Sequence, residues 1–111
     1  MSNEVVLTDA NFDEKVRKAK GFVLVDFYAD RCMPCRILAP TIEKLAADWA
    51  GTLTVGKLDV DANYSTAASF SVTGIPTLIL FKDGKPVERL IGLQPADALK
   101  SMIKSMMQKH L

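Results

Sequence analysis

The chain has 111 residues, 49% of them apolar and 24% charged, with a net charge of +1. That length supports one core and one domain over residues 1–111, with the composition of an ordinary globular protein. So small a charge favours neither nucleic acid nor an anionic membrane as a partner. No stretch is long enough to span a bilayer. Met1 to Ala10 lacks the basic and apolar regions of a signal peptide, so a cytoplasmic protein is expected, and separately a monomer. In that compartment a lone cysteine pair points to catalysis or metal binding rather than to a structural bridge.

Taken in order, Val5-Val6-Leu7 reads as a short strand. Thr8 or Asp9 then opens a short helix through Phe12, Val16 and Ala19, which Lys20-Gly21 ends. Phe22 to Tyr28 is apolar, β-branched and aromatic, the pattern of a strand buried on both faces, and one acid, Asp26, interrupts it. A polar loop follows and delivers Cys32-Met33-Pro34-Cys35. The second helix starts near Cys32 and runs to Trp49, with Leu38, Ile42, Leu45 and Ala46 on one stripe. Pro40 falls inside it and is expected to kink it. Ala50-Gly51 ends it.

Leu53 to Asp59 is a third strand, and Asp61 or Asn63 is expected to cap a short helix through Ala67, Ala68 and Phe70. Gly74-Ile75-Pro76 turns the chain into a buried strand, Thr77 to Lys82. Asp83-Gly84 is a two-residue hairpin signal leading into Pro86 to Ile91, and Pro86 places that last strand on a sheet edge. Pro95 opens a final helix that buries Leu99, Met102, Ile103 and Met106. Its neighbours Met106 and Met107 are not expected to face inward together. The order βαβαβαββα gives an α/β fold: one mixed five-stranded sheet with helices on both faces.

The cysteine pair lies at the mouth of a helix, at the carboxyl end of the central strand, where open α/β sheets place their chemistry. Unpaired N–H groups and the helix dipole stabilise an anion there, and the reactive form of Cys32 is a thiolate. Cys35 is one turn further in and shares a face with it. Pro34 suits the first turn, where a missing N–H costs nothing. A zinc site needs about four ligands. The chain supplies two cysteines and His110 near its end, so no metal is expected. Asp26 sits between Val25 and Phe27 in a buried strand, where a carboxylate must be neutralised, hydrogen-bonded or paired.

Val23-Leu-Val-Asp-Phe27, Cys32-x-Pro-Cys35, Ala39-Pro40, Lys57-Leu-Asp-Val-Asp61, Gly74-Ile-Pro-Thr-Leu78, Phe81-Lys-Asp-Gly84 and Gly92 together resemble the thioredoxin family over essentially the whole chain. The resemblance implies the thioredoxin fold and a dithiol that reduces disulfides in partner proteins. Cys32 would attack and Cys35 resolve, with Asp26 accepting the Cys35 proton and Lys57 pairing with Asp26. It also implies a cis bond before Pro76 that aims the Ile75 backbone at an extended substrate, with Gly74 and Gly92 allowing close approach. Tyr28, Arg31, Met33 and Pro34 complete the substrate-facing rim. The family's usual Trp-Cys-Gly-Pro-Cys here reads Arg31-Cys32-Met33-Pro34-Cys35, and an earlier Trp is Tyr28, which leaves the reacting atoms in place.

The expected function is therefore thiol–disulfide reduction without a cofactor other than the Cys32–Cys35 disulfide. By resemblance, a flavin-dependent reductase drawing on NADPH regenerates the dithiol. A redox-silent binding module, or an oxidase or isomerase with the same site, is the alternative.

Overall fold

A computed structural model describes residues 3–111. Five strands, β1 (Val5–Leu7), β2 (Phe22–Tyr28), β3 (Leu53–Asp59), β4 (Thr77–Lys82) and β5 (Lys85–Ile91), form one sheet in the order β1-β3-β2-β4-β5. β2 is central, parallel to β3 and antiparallel to β4, and β5 is an edge strand, as Pro86 implied. The helices are α1 (Met33–Asp48), α2 (Tyr64–Ser69) and α3 (Ala96–Lys109).

Strand alternation divides the core in two. Phe22 and Leu24 of β2, Val55 of β3, and Leu78 and Leu80 of β4 pack against Leu38, Ile42 and Leu45 of α1 and Leu99 and Ile103 of α3. Val23, Val25 and Phe27 face the other way, with Leu7, Leu58, Ile79 and Phe81, and meet Phe12, Val16 and Ala67. Asp26 follows Leu24 by two residues and so lies on the α1 side.

Three local expectations are corrected. The first helix is only a π-helical turn, Asp13–Arg17. Thr8 closes the turn before it: its Oγ1 accepts from Asn11 N–H (3.1 Å) and Asn11 Oδ1 accepts from Thr8 N–H (2.7 Å). Asn63 occupies the cap position of α2 but makes no side-chain capping bond. Asp9 does that work from 57 residues away, accepting from Thr66 N–H (2.8 Å) and Thr66 Oγ1–H (2.6 Å). Met106 and Met107 are both buried, 7% and 8% exposed. Both join the cluster that holds Leu99 and Ile103, and the unbranched, flexible Met side chain adapts to either position.

α1 continues through the exposed Pro40, which cannot donate to the Arg36 carbonyl. The Asp83-Gly84 turn has positive φ at both residues, +51° and +84°, as a two-residue hairpin with right-twisted strands requires.

Candidate active site

Cys32 is the N-cap residue of α1, held by its own N–H donating to Ala29 O (3.1 Å). Its Sγ accepts a hydrogen bond from Cys35 N–H at 3.2 Å, so the sulfur sits where the first turn presents unpaired donors. The two cysteines are joined as a disulfide, with Cα atoms 5.2 Å apart. Cys32 is the more exposed of the pair, and Ala29, Tyr28, Val60 and Ile75 pack around both. When the bond is reduced, that N–H and the helix dipole favour a thiolate at Cys32.

The Ile75 carbonyl oxygen lies 3.8 Å from Cys32 Sγ, and the Ile75–Pro76 bond is cis. Thr77 Oγ1–H donates to Gly74 O (2.5 Å), and Gly92 N–H donates to Pro76 O (2.8 Å), so this turn is tied on both sides. Gly92 has φ +93°, a conformation that side chains oppose. Gly74 differs: an added Cβ would meet only Ile91 Cγ2, at 3.8 Å, so the chain itself does not demand glycine there. Met33, 59% exposed, and Pro34 lie at the surface in the first turn of α1.

On the inner side of the disulfide is Asp26. It is 5% exposed, and its Oδ1 has no hydrogen-bond partner. Burial first, and the charge of Glu4 second, push its pKa up to about 7, while Lys57 draws it down. Asp26 and Lys57 are register neighbours on β2 and β3. Among the described residues no ion pair joins them, so Lys57 acts on Asp26 through its field rather than by direct contact. A cleft of about 210 Å³ is lined by Asp26, Cys35, Lys57, Glu4 and Tyr28. Tyr28 is thus half-buried on the Asp26 side of the cysteines. Its pKa is raised by burial first and then by Asp59, Asp30, Asp26 and Glu4.

Arg31 turns from the cysteines to Asp61. Its Nε and Nη2 donate to Asp61 Oδ2 and Oδ1 at 3.0 and 3.1 Å, a bidentate fork between the loop before α1 and the loop after β3. That fork raises the Arg31 pKa and sets an opposite charge beside the guanidinium. The sequence identified Arg31 but not its partner, which lies 30 residues away. Glu4 was missed as well, although its alternation with Val5 and Leu7 was a usable signal. Among the described residues no group of three or more His, Cys, Asp or Glu is placed to hold a metal ion.

The structure therefore brings Cys32, Cys35, Asp26, Lys57, Tyr28, Ile75 and Pro76 to one end of the sheet, with a redox-capable sulfur pair at a helix mouth and a carboxyl group behind it. Comparison with known proteins agrees with this chemistry. The family profile described as Thioredoxin matches residues 3–105. A thioredoxin of Staphylococcus saprophyticus subsp. saprophyticus is 50% identical over 107 residues, covering 96% of this chain and 97% of that protein. A thioredoxin of Staphylococcus aureus is similar to the same extent. A disulfide at a helix mouth, one mixed five-stranded sheet between helices, and these similarities lead to one conclusion: the chain belongs to the thioredoxin family and is a thiol–disulfide oxidoreductase of the disulfide-reducing type.

Proposed function

We propose that the dithiol reduces disulfides in partner proteins with Cys32 as nucleophile, Cys35 as resolving thiol and Asp26 as the acceptor of the Cys35 proton. The Cys32 thiolate attacks one sulfur of the substrate disulfide, that bond breaks, and one substrate thiol leaves. Cys35 passes its proton to Asp26, its thiolate attacks Cys32 Sγ, and the second substrate thiol is released. Two electrons have then moved from the dithiol to the substrate disulfide, and Cys32–Cys35 is oxidised. No organic cofactor or metal takes part in this sequence.

The observation that carries the reading is the buried Asp26 carboxyl group lining the same cleft as Cys35 with one oxygen unpartnered. A pKa near operating pH is what a group that both takes and returns a proton needs. Lys57 modulates that carboxyl. The substrate chain docks along Met33, Pro34, Gly74, Ile75, Pro76 and Gly92, with its backbone against Ile75, and Tyr28 and Arg31 complete the rim. An NADPH-dependent flavin reductase regenerates the dithiol, and the protein serves electron transport and redox homeostasis in the cytoplasm.

The test is selective alkylation followed by trapping. Iodoacetamide at pH 7 is expected to label Cys32 well before Cys35 in the reduced protein, as read by mass spectrometry. Cys35→Ser should accumulate mixed disulfides with insulin, and Cys32→Ser should not. Cys35 labelled first, or equal trapping by both variants, would reverse the assignment. No acceleration of insulin reduction by dithiothreitol would favour a redox-silent binding module.

A further inference from the structure

Glu4 lies immediately before β1, and strand alternation sets the direction in which it points. Val5 and Leu7 pack in the cluster with Phe12 and Val16, so Glu4 and Val6 face the opposite side, toward α1. Val6 is in register with Lys57, and Lys57 with Asp26, so one row of side chains crosses the sheet on that side. Glu4 stands one side-chain step before the row, on the same face. β1 is an edge strand, and α1 leaves this edge uncovered: Val6 is 62% exposed. The cleft opens there, lined by the half-buried Glu4 as well as by the buried Asp26 and Cys35.

The other ionisable groups around this cleft come from every element that borders it. β3 contributes Lys57, β2 contributes Tyr28, the following loop Asp30, and α1 contributes Arg36 and Glu43. Glu4 and Lys57 act on Asp26 in opposite directions, and Glu4 is the stronger of the two. A carboxylate that shares a poorly solvated cleft with Asp26 disfavours a second negative charge. Burial is the largest influence on Asp26, Glu4 adds to it and Lys57 opposes it, so without Glu4 the Asp26 carboxylate would be a weaker base for Cys35.

We propose that Glu4 is a positioning residue of the redox reaction: its carboxylate, sharing the cleft, disfavours a lasting negative charge on Asp26 and so makes that carboxylate a stronger base, able to take the Cys35 proton and return it as Cys35 turns over. The proposal rests on the reading of Asp26 as the proton acceptor. Glu4 acts through Asp26 in this proposal, so its signature is a shifted pH profile rather than lost activity.

The experiment compares Glu4→Gln, Glu4→Asp, Lys57→Met and Asp26→Asn with the unaltered chain. Two quantities are followed against pH: the carboxyl carbon resonance of Asp26, and the rate at which a preformed mixed disulfide on Cys32 is resolved. Glu4→Gln is expected to move the Asp26 midpoint and the acid limb of the rate profile down by roughly half a pH unit. Lys57→Met should move both up, and Glu4→Asp should restore much of the original profile. An acid limb that is lost in Asp26→Asn but unmoved in Glu4→Gln would overturn the proposal alone. An acid limb that survives Asp26→Asn would overturn the Asp26 reading and the proposal together.

Discussion

In the folded chain Asp26 holds its proton up to about pH 7, whereas an unperturbed carboxyl ionises near its ordinary value of 3.8. Between those values the folded state binds a proton that the unfolded state has released. Stability therefore falls as pH rises through that window, by linkage. The cost is absent below the unfolded value and complete above about 7. Removing the carboxyl group should relieve it, less the contacts and space lost with the side chain. Asp26→Ala is expected to stabilise the oxidised protein by about 1–3 kcal/mol at pH 8. At pH 4 the gain should vanish or reverse. Urea unfolding at the two pH values checks this, and a difference independent of pH would show that Asp26 is held by contacts rather than strained by burial. Arg31 is the contrasting residue. An exposed guanidinium forked onto Asp61 keeps its charge, but the neighbouring carboxylate and solvent offset its influence on Cys32.

Among the elements, the β4–β5 hairpin shows how a local turn becomes a tertiary contact. Asp83 Oδ1 accepts from Gly21 N–H (2.7 Å), and Asp83 N–H donates to Gly21 O (2.9 Å), so the turn is bound to the residue just before β2. Gly84 then lies against the end of the π-helical turn. A Cβ built on it would fall 1.9 Å from the Arg17 carbonyl oxygen, and its φ is +84°. Both facts oppose a side chain, and the neighbour is backbone that cannot swing aside. Gly84→Ala is expected to destabilise by about 2–4 kcal/mol, from combined strain and displacement. A denaturant midpoint unchanged by the substitution would mean the hairpin moves freely from the first segment. The dipeptide Asp83-Gly84 made the hairpin legible, because that turn type needs positive φ at adjacent residues. Nothing in its neighbours indicated where the hairpin docks.

For the whole molecule, α1 and α3 share one face of the sheet, and α3 seals the cluster that includes Leu24, Leu80 and Leu38. Ile103 is fully buried there. Ile103→Ala should cost about 2–5 kcal/mol by cavity formation. Cys32 alkylation in the folded protein should be unaffected, because the cysteines pack in a separate cluster. Loss of Cys32 selectivity along with stability would show that the two clusters are coupled. The sequence by itself determined the strands and the two long helices, the buried acid in β2, the sulfur pair at a helix mouth and the edge position of β5. Each of these is written in a periodicity or in a residue whose backbone demands are local. Only the tertiary structure decided that Asp9 caps α2, that Asp61 pairs with Arg31, that Met106 and Met107 are both buried, and that Glu4 shares the cleft of Asp26. A periodicity reports which side of an element is apolar, but a cap, an ion pair or a shared cleft depends on which distant residue the fold carries to it.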